Sequence, residues 1–491
     1  MTGDLGLDRA FHAKSIAIVG VSRTEGHSAP GYTGLLFLRL LQEAKFQGRL
    51  YPINPKADVI GGLKAYPSLT TLPEVPDYVI VTVPAALVPQ VLQDCISAGA
   101  VDVHICTAGF GETGEEEGKR LESMIRDIAL RGGLRVVGPN ALGYHVPSDR
   151  MQMYSQVVLA QGPVAFLSQS GGHCQAYVRQ GPSQGIGFSK AISYGNALLM
   201  DSTDFLEYLA TDPETQIVGM YIEDVKNGRR FKQLVTQVNP EKPITIWKGG
   251  LTPSGARAAA THTGSLAGDR QVWEAFFKQT GVIKVDSIDE MADVTMTLLR
   301  LKPSPGRRVA VWGGGGGNSV AAGDVCAQDG LQVPPLSNKT TTALREFMTI
   351  VNQSVVNPLD GGSVFEDLLT LKRALDIVAA DPAIDIILLH LGVGYAKWFS
   401  AEHLAGFKKC VSGFARDNPT GKPAVVAVRD EGKAGEAEEF VRELREANIT
   451  TYSSLERACR ALSRFAQYHR FRAEMGASAR EAGRPEPTDG E

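Results

Sequence analysis

Ser15-Ile16-Ala17-Ile18-Val19-Gly20-Val21-Ser22-Arg23 decides how the chain is read. The run up to Val19 is small and apolar without a polar face, as expected of a strand covered on both sides in a parallel sheet. The glycine that ends it permits a tight turn and lets a phosphate approach the next helix N-terminus. The rhythm repeats outward. Strands are expected at 49–53, 78–83, 103–107 and 135–137, with helices at 34–44, 87–98 and 114–131 between them. Strands separated by helices pair in parallel through right-handed crossovers. Residues 1–149 therefore read as an α/β, Rossmann-like domain.

A second series of strands is expected at 163–167, 187–192, 217–222, 243–247 and 282–285, and makes residues 150–301 a flavodoxin-type three-layer domain. The proline-rich stretch Lys302-Pro303-Ser304-Pro305-Gly306-Arg307 reads as a linker. A third series at 308–312, 385–391, 424–428 and 449–452, closed by a helix at 454–470, gives a second flavodoxin-like domain over 307–475. The polar tail 477–491, with Pro485 and Pro487, is expected to be disordered.

Composition supports this division and excludes other classes. At 491 residues the chain has room for about three domains of ~150 residues. Hydrophobic content of 43% with 21% charged residues is that of a soluble globular protein. A net charge of -4 without a basic stripe argues against nucleic acid as a partner. Residues 1–14 lack an apolar signal core, and no apolar run approaches the ~20 residues that span a bilayer. The six cysteines are scattered without a CxxC pair, so reduced thiols, a cytoplasmic setting and no metal site are expected.

The strand ends carry the chemistry. Gly20, Ser22 and Arg23 follow the first strand, but Ser22 and Glu25 break the GxGxxG pattern. After the second strand, Asn54-Pro55-Lys56 puts a lysine where an NAD site offers an acid; Lys56 favours a phosphorylated ribose, as in NADP or coenzyme A. Val83 and Pro84, and Ala108 and Gly109, line the same crevice. Gly138-Pro139-Asn140-Ala141-Leu142-Gly143 either turns the Asn140 amide into that crevice or is a plain turn between domains.

In the second domain, Ser168-Gln169-Ser170-Gly171-Gly172 precedes a helix expected near 175–180. Small residues at a helix start form an anion site from free N–H groups and the helix dipole, so Ser170, Gly171 and Gly172 are phosphate-binding candidates. The stretch is not a GxSxG nucleophile elbow. His173 beside it reads as a surface or packing residue. Ala260-Thr261-His262-Thr263-Gly264-Ser265-Leu266-Ala267-Gly268 sets one histidine among small and hydroxyl-bearing residues, which suits a mobile loop that offers an imidazole to a phosphate. Its alternative is an N-capped turn with an incidental histidine. Glu223, at a strand's carboxyl end, is either a solvated acid or the group that orients the His262 imidazole. In the third domain, the five glycines 313–317 and Asn357-Pro358-Leu359-Asp360-Gly361-Gly362 form two further loop clusters.

Taken in order, these motifs resemble the nucleoside-diphosphate-forming acyl-CoA synthetases, which include succinate–CoA ligase and the ADP-forming acetate–CoA ligases. The resemblance covers residues 8–470 and also includes Tyr194-Gly195-Asn196 and Lys248-Gly249-Gly250. It implies an α-type chain: a CoA-binding domain and two succinyl-CoA-synthetase-like domains. It implies that His262 is the phosphorylated histidine, flanked by Thr263 and Gly264, and that Glu223 steadies its imidazole. The acid, an acyl phosphate and phospho-His262 would exchange the phosphoryl group over the Ser170-Gly171 helix start, after which the loop carries it to a nucleotide site. No ATP-grasp segment is visible, so ATP or ADP with Mg2+ is expected at a separate ATP-grasp β-type subunit in a hetero-oligomer. Gly172-His173-Cys174 and Ala197-Leu198-Leu199-Met200 depart from the family pattern, which points to an acid larger than acetate; Ala141 stands where a cysteine is expected. Two other readings are a non-catalytic CoA-binding subunit and an NADP-dependent reductase; the second leaves His262 unexplained.

Overall fold

The structure is a computed structural model that describes residues 6–22, 32–257, 268–313, 315–348, 354–394, 399–432 and 435–482. Two compact units are present: residues 1–182 with 186–288, and residues 183–185 with 289–491.

The first unit holds two main sheets. Strands β1 (Ser15–Val19), β2 (Arg49–Ile53), β5 (Tyr78–Val81), β6 (Asp102–Ile105) and β7 (Arg135–Val137) form a parallel sheet in the order β2-β1-β5-β6-β7. A small hairpin of β3 (Val59–Ile60) and β4 (Leu63–Lys64) follows β2. β1 and β5 are buried at every position, which is why they read as unbroken apolar runs. Helices α1 (Asp8–Phe11), α2 (Gly34–Glu43), α3 (Val88–Ala98) and α4 (Glu116–Gly132) accompany it. α4 shows how the sequence specifies such a helix. Glu116 and Glu117 favour its positive end, and Leu121, Ile125, Ile128 and Ala129 make one buried stripe at helical spacing. Gly133 then ends it at φ +65°.

The second sheet contains β8 (Gly143–His145), β9 (Gln161–Ser168), β10 (Phe188–Ser193), β11 (Ile217–Ile222), β12 (Ile244–Lys248) and β13 (Ile283–Val285), in the order β13-β12-β11-β9-β10-β8. Only β8 is antiparallel. It had no sequence signal, and it brings the chain onto the second sheet before residue 149, where the first domain was expected to end. Helix α5 (Gly171–Gln180) starts four residues before the expected 175, because Ser170 caps it.

The second unit is built on a parallel sheet of β14 (Val309–Gly313), β15 (Leu359–Asp360), β16 (Ile386–Gly392), β17 (Ala424–Arg429) and β18 (Thr451–Tyr452), in the order β15-β14-β16-β17-β18. Its core centres on Trp312, Phe365, Leu371, Leu389 and Val426. Helix Ile288–Arg300, placed at the end of the second domain by sequence, lies with this unit from Asp289 onward. There its Asp293 accepts from Arg457 Nε at 2.6 Å. The last helix runs Leu455–Ala482 rather than 454–470. It enters the stretch expected to be disordered, because residues 477–482 are mostly good helix formers; residues 483–491 lie outside the described residues. Among the described residues no helix is long and apolar enough to cross a membrane.

In each sheet the parallel strands lie in the order second, first, third, fourth, fifth. That order reverses direction between the first and third strands, and the loops at the carboxyl ends of those two strands part to leave a crevice. The crevices fall between β1 and β5, β9 and β11, and β14 and β16.

Candidate active site

At the first crevice, Gly20 has φ +95°, and a Cβ there would lie 2.9 Å from Val83 Cγ1. Conformation and space both demand glycine. Thr82 Oγ1 donates to Val19 O at 2.8 Å and Thr107 Oγ1 to Val83 O at 2.7 Å; these bonds hold the strand ends side by side. Asn54 Nδ2 donates to Val21 O at 2.6 Å, and its Oδ1 accepts the Lys56 N–H at 2.7 Å, a turn that leaves Lys56 exposed beyond β2. Ser22, Pro84 and Ala108 are also exposed, and Val83 and Gly109 are half-buried, so the expected residues do gather at one sheet edge. Arg23 lies outside the described residues.

The first and second sheets meet at their carboxyl edges. Asn196 N–H donates to Pro139 O at 3.0 Å and Leu198 N–H to Gly138 O at 3.0 Å, while Leu142 N–H donates to Ser193 Oγ at 3.1 Å. Glu112, which sequence reasoning passed over, accepts the N–H groups of Gly109 (2.6 Å) and Phe110 (3.2 Å) and the Asn196 amide (2.6 Å). An acid three residues after a strand-end glycine was the signal available for it. Between the edges is a cavity of about 320 Å³, lined by Tyr32, Cys106 and Asn140 on one side and Ser170, Gly171 and Gly172 on the other. Asn140 is thus part of a turn and also faces the crevice. Burial pushes the Cys106 thiol up to about 12, which favours its neutral form.

The helix start on the second side is built for an anion. Ser168 Oγ donates to Ser170 O at 2.7 Å and accepts the Ser170 N–H at 3.1 Å, while Ser170 Oγ accepts the His173 N–H at 3.3 Å. The N–H groups of Gly171 and Gly172, in the first turn of α5, have no partner within the helix. No lysine or arginine lies in that turn, and the His173 ring packs against Tyr221 and Trp247, so the attraction comes from the helix dipole and these N–H groups.

Glu223 directly follows β11 and is 4% exposed, which excludes a solvated acid. Its N–H and that of Asp224 (2.8 Å) both donate to Gln169 Oε1. Tyr221 Oη donates to its Oε1 at 3.1 Å, and Lys248 Nζ donates to its carbonyl oxygen at 2.8 Å and to that of Gly249. Burial lowers the Lys248 ammonium, with Asp224 and Glu223 pulling the other way; burial and then the charge of Glu223 raise the Tyr221 phenol. His173 is a packing residue, its ring 4.4 Å from that of Tyr221 and 4.7 Å from that of Trp247. His262, Thr263 and Gly264 lie outside the described residues. The segment that contains them leaves from β12, the neighbour of β11, and ends at helix Arg270–Thr280.

In the second unit, Gly315 has φ +95° and donates its N–H to Asp360 Oδ1 at 3.0 Å. Asn357 is structural: it bonds Val311 N–H, Val309 O and Pro334 O and so fastens its turn to β14.

Residues 14–147 match the family described as CoA binding domain, and residues 161–298 the family described as succinyl-CoA ligase like flavodoxin domain. The α subunit of ADP-forming acetate–CoA ligase II from Pyrococcus furiosus is 36% identical over 450 residues, 91% of this chain and 94% of that protein. The chain belongs to the ADP-forming acetate–CoA ligase family. A second member, ADP-forming acetate–CoA ligase I of Archaeoglobus fulgidus, is 34% identical over 95% of this chain, which spans 64% of that longer protein. A solved member, the dinucleotide-forming acetyl-coenzyme A synthetase 1 of Ca. Korarchaeum cryptofilum in complex with phosphate and ADP, superposes with a TM-score of 0.81. It is 31% identical, with 96% of this chain and 98% of that one covered. Family membership agrees with strand ends that lack a GxGxxG turn and with the small-residue helix start at Ser170.

Proposed function

We propose that this chain is the α-type subunit of an ADP-forming acyl-CoA synthetase. It converts a carboxylic acid, CoA and ATP to acyl-CoA, ADP and phosphate, reversibly, through an acyl phosphate and phospho-His262. The observation that carries this reading is the shared cavity: Asn140 and Cys106 from the CoA-binding fold face the Ser170–Gly172 helix start across about 320 Å³, with Glu223 held at the same switch point. Three domains, 1–149, 150–301 and 307–475, divide the work. Gly20, Ser22, Arg23, Lys56, Val83, Pro84, Ala108, Gly109 and Asn140 hold CoA. Ser170, Gly171 and Gly172, with Thr263 and Gly264, cradle the phosphoryl group.

In the synthetic direction a carboxylate oxygen of the acid attacks the phosphorus of phospho-His262. The P–N bond breaks as the P–O bond forms, and the imidazole takes up a proton. The helix start stabilises charge on the equatorial oxygens. Glu223 accepts from the second ring N–H and keeps the imidazole oriented. The CoA thiol then attacks the acyl carbon, the C–O bond breaks, and phosphate leaves with the thiol proton. ATP with Mg2+, held by an ATP-grasp β-type subunit, supplies the phosphoryl group. The assembly is a hetero-oligomer, the setting is cytoplasmic, and the acid is a small carboxylic acid.

The test is mass spectrometry under alkaline conditions, after the chain has been incubated with its β-type partner and Mg-ATP. A phosphoryl group mapped to His262, lost in His262→Ala while CoA still binds, is the expected result. An unphosphorylated His262, or normal turnover in His262→Ala, ends the reading.

A further inference from the structure

Gln169 directly precedes the Ser170 cap of the α5 helix start and is 4% exposed. Its Oε1 accepts the N–H groups of both Glu223 and Asp224, the latter at 2.8 Å. Because both partners are donors, the oxygen of this amide is fixed on that side and the NH2 group on the other. Gln169 also lines the cavity beside Ser170, Gly171 and Gly172. Among the described residues its Nε2 has no hydrogen-bond partner, and it is not one of the enclosed unpaired atoms, so this donor is open to the cavity that Gln169 lines. An unspent donor next to the N–H groups that begin α5, where no lysine or arginine stands in the first turn, makes a neutral cradle for a phosphate dianion.

We propose that Gln169 is a substrate-binding residue: its Nε2 donates to an oxygen of the phosphate bound over the Ser170–Gly172 helix start, while its Oε1 holds the backbone of Glu223. One amide then ties the position of the phosphate to that of Glu223. The assignment rests on the function proposed above.

Gln169→Glu separates the two roles. It keeps an acceptor for the Glu223 and Asp224 N–H groups but replaces the donor with a second, negatively charged oxygen. Inorganic phosphate is titrated into the full chain by calorimetry, with CoA binding measured on the same samples to establish that each is folded. The expected result is CoA binding like that of the wild type, with phosphate affinity reduced at least about 10- to 100-fold, the value of one hydrogen bond to a charged group. Undiminished phosphate affinity in Gln169→Glu overturns the assignment and leaves the functional reading standing. A wild-type chain that binds CoA but no phosphate overturns both. Should Gln169→Glu not bind CoA, 15N-glutamine-labelled wild-type chain is titrated with phosphate against chloride at equal ionic strength. A side-chain amide pair that shifts with phosphate alone supports the assignment, and none that does so refutes it.

Discussion

Glu223 is held more tightly than any strand-end acid needs to be for folding alone. Tyr221 fixes its carboxylate, Gln169 its N–H and Lys248 its carbonyl. Glu223→Gln preserves shape and leaves an oxygen for the Tyr221 hydroxyl, but removes the charge that would balance an imidazolium. We expect phosphohistidine formation to fall by about 10²-fold or more, with CoA affinity unchanged. Quench-flow with radiolabelled phosphate measures the first and calorimetry the second; a wild-type rate would remove Glu223 from the mechanism. Glu223 was legible in the sequence because an acid after a buried strand must sit at a sheet's carboxyl edge. Gln169 and Tyr221 were not. The contact of Gln169 with Glu223 joins residues 54 apart in the chain, and such a bond exists only once β9 and β11 are neighbours. For Glu112 the local bonds to Gly109 and Phe110 had a signal, but the bond to the Asn196 amide, 84 residues away, did not.

At the scale of elements, strands buried at every position such as β1 and β11 were legible to the residue, because an unbroken apolar run has no other use in an α/β protein. Two short strands were not: β8 and β15 have three and two residues, and their pairing is decided by neighbours rather than by pattern. β5 ends two residues before the expected 83: Thr82 gives both its N–H and its hydroxyl to Val19 O, and the chain turns at Val83 and Pro84. The two loops that close the cavity depend on a backbone device. Gly195 has φ +55°, and a Cβ there would lie 2.3 Å from Pro139 O and 2.4 Å from Asn140 O. Gly195→Ala therefore strains the turn and pushes the Asn140 loop away. We expect a loss of about 1–3 kcal/mol in stability, seen as a lower melting temperature, together with weaker CoA binding. Unchanged melting and CoA affinity would mean that the loops are not coupled in this way.

At the scale of the molecule, one strand order used three times puts a glycine or small-residue turn at each switch point, at Gly20, Ser170 and Gly313. Gathering the strand ends of the first unit in this way also buries imidazoles. His104, in β6, donates Nε2–H to Ala141 O at 2.9 Å, and His145, in β8, stacks on Tyr154 at 5.4 Å. Burial brings both down to about 4, from 6.5 in the unfolded chain. In the second unit, burial also lowers His390, with Arg429 adding to it, and brings His469 down to about 4. Between pH 6.5 and 4 the unfolded chain therefore binds protons that the folded chain refuses. Stability is full above pH 6.5 and falls as the pH drops towards 4, by about 3 kcal/mol for each of His104 and His145. Asp212 adds to the loss only at lower pH: burial works against its ionised form, but hydrogen bonds from Thr215 and Lys190 outweigh that and hold it below 3.8. Calorimetric unfolding at pH 7, 6 and 5 should give melting temperatures that fall steadily on acidification. His145→Phe, which keeps an aromatic ring against Tyr154 and cannot take a proton, should flatten that slope. A wild-type melting temperature independent of pH from 7 to 5 would mean that these rings are reached by solvent and titrate as they do in the unfolded chain.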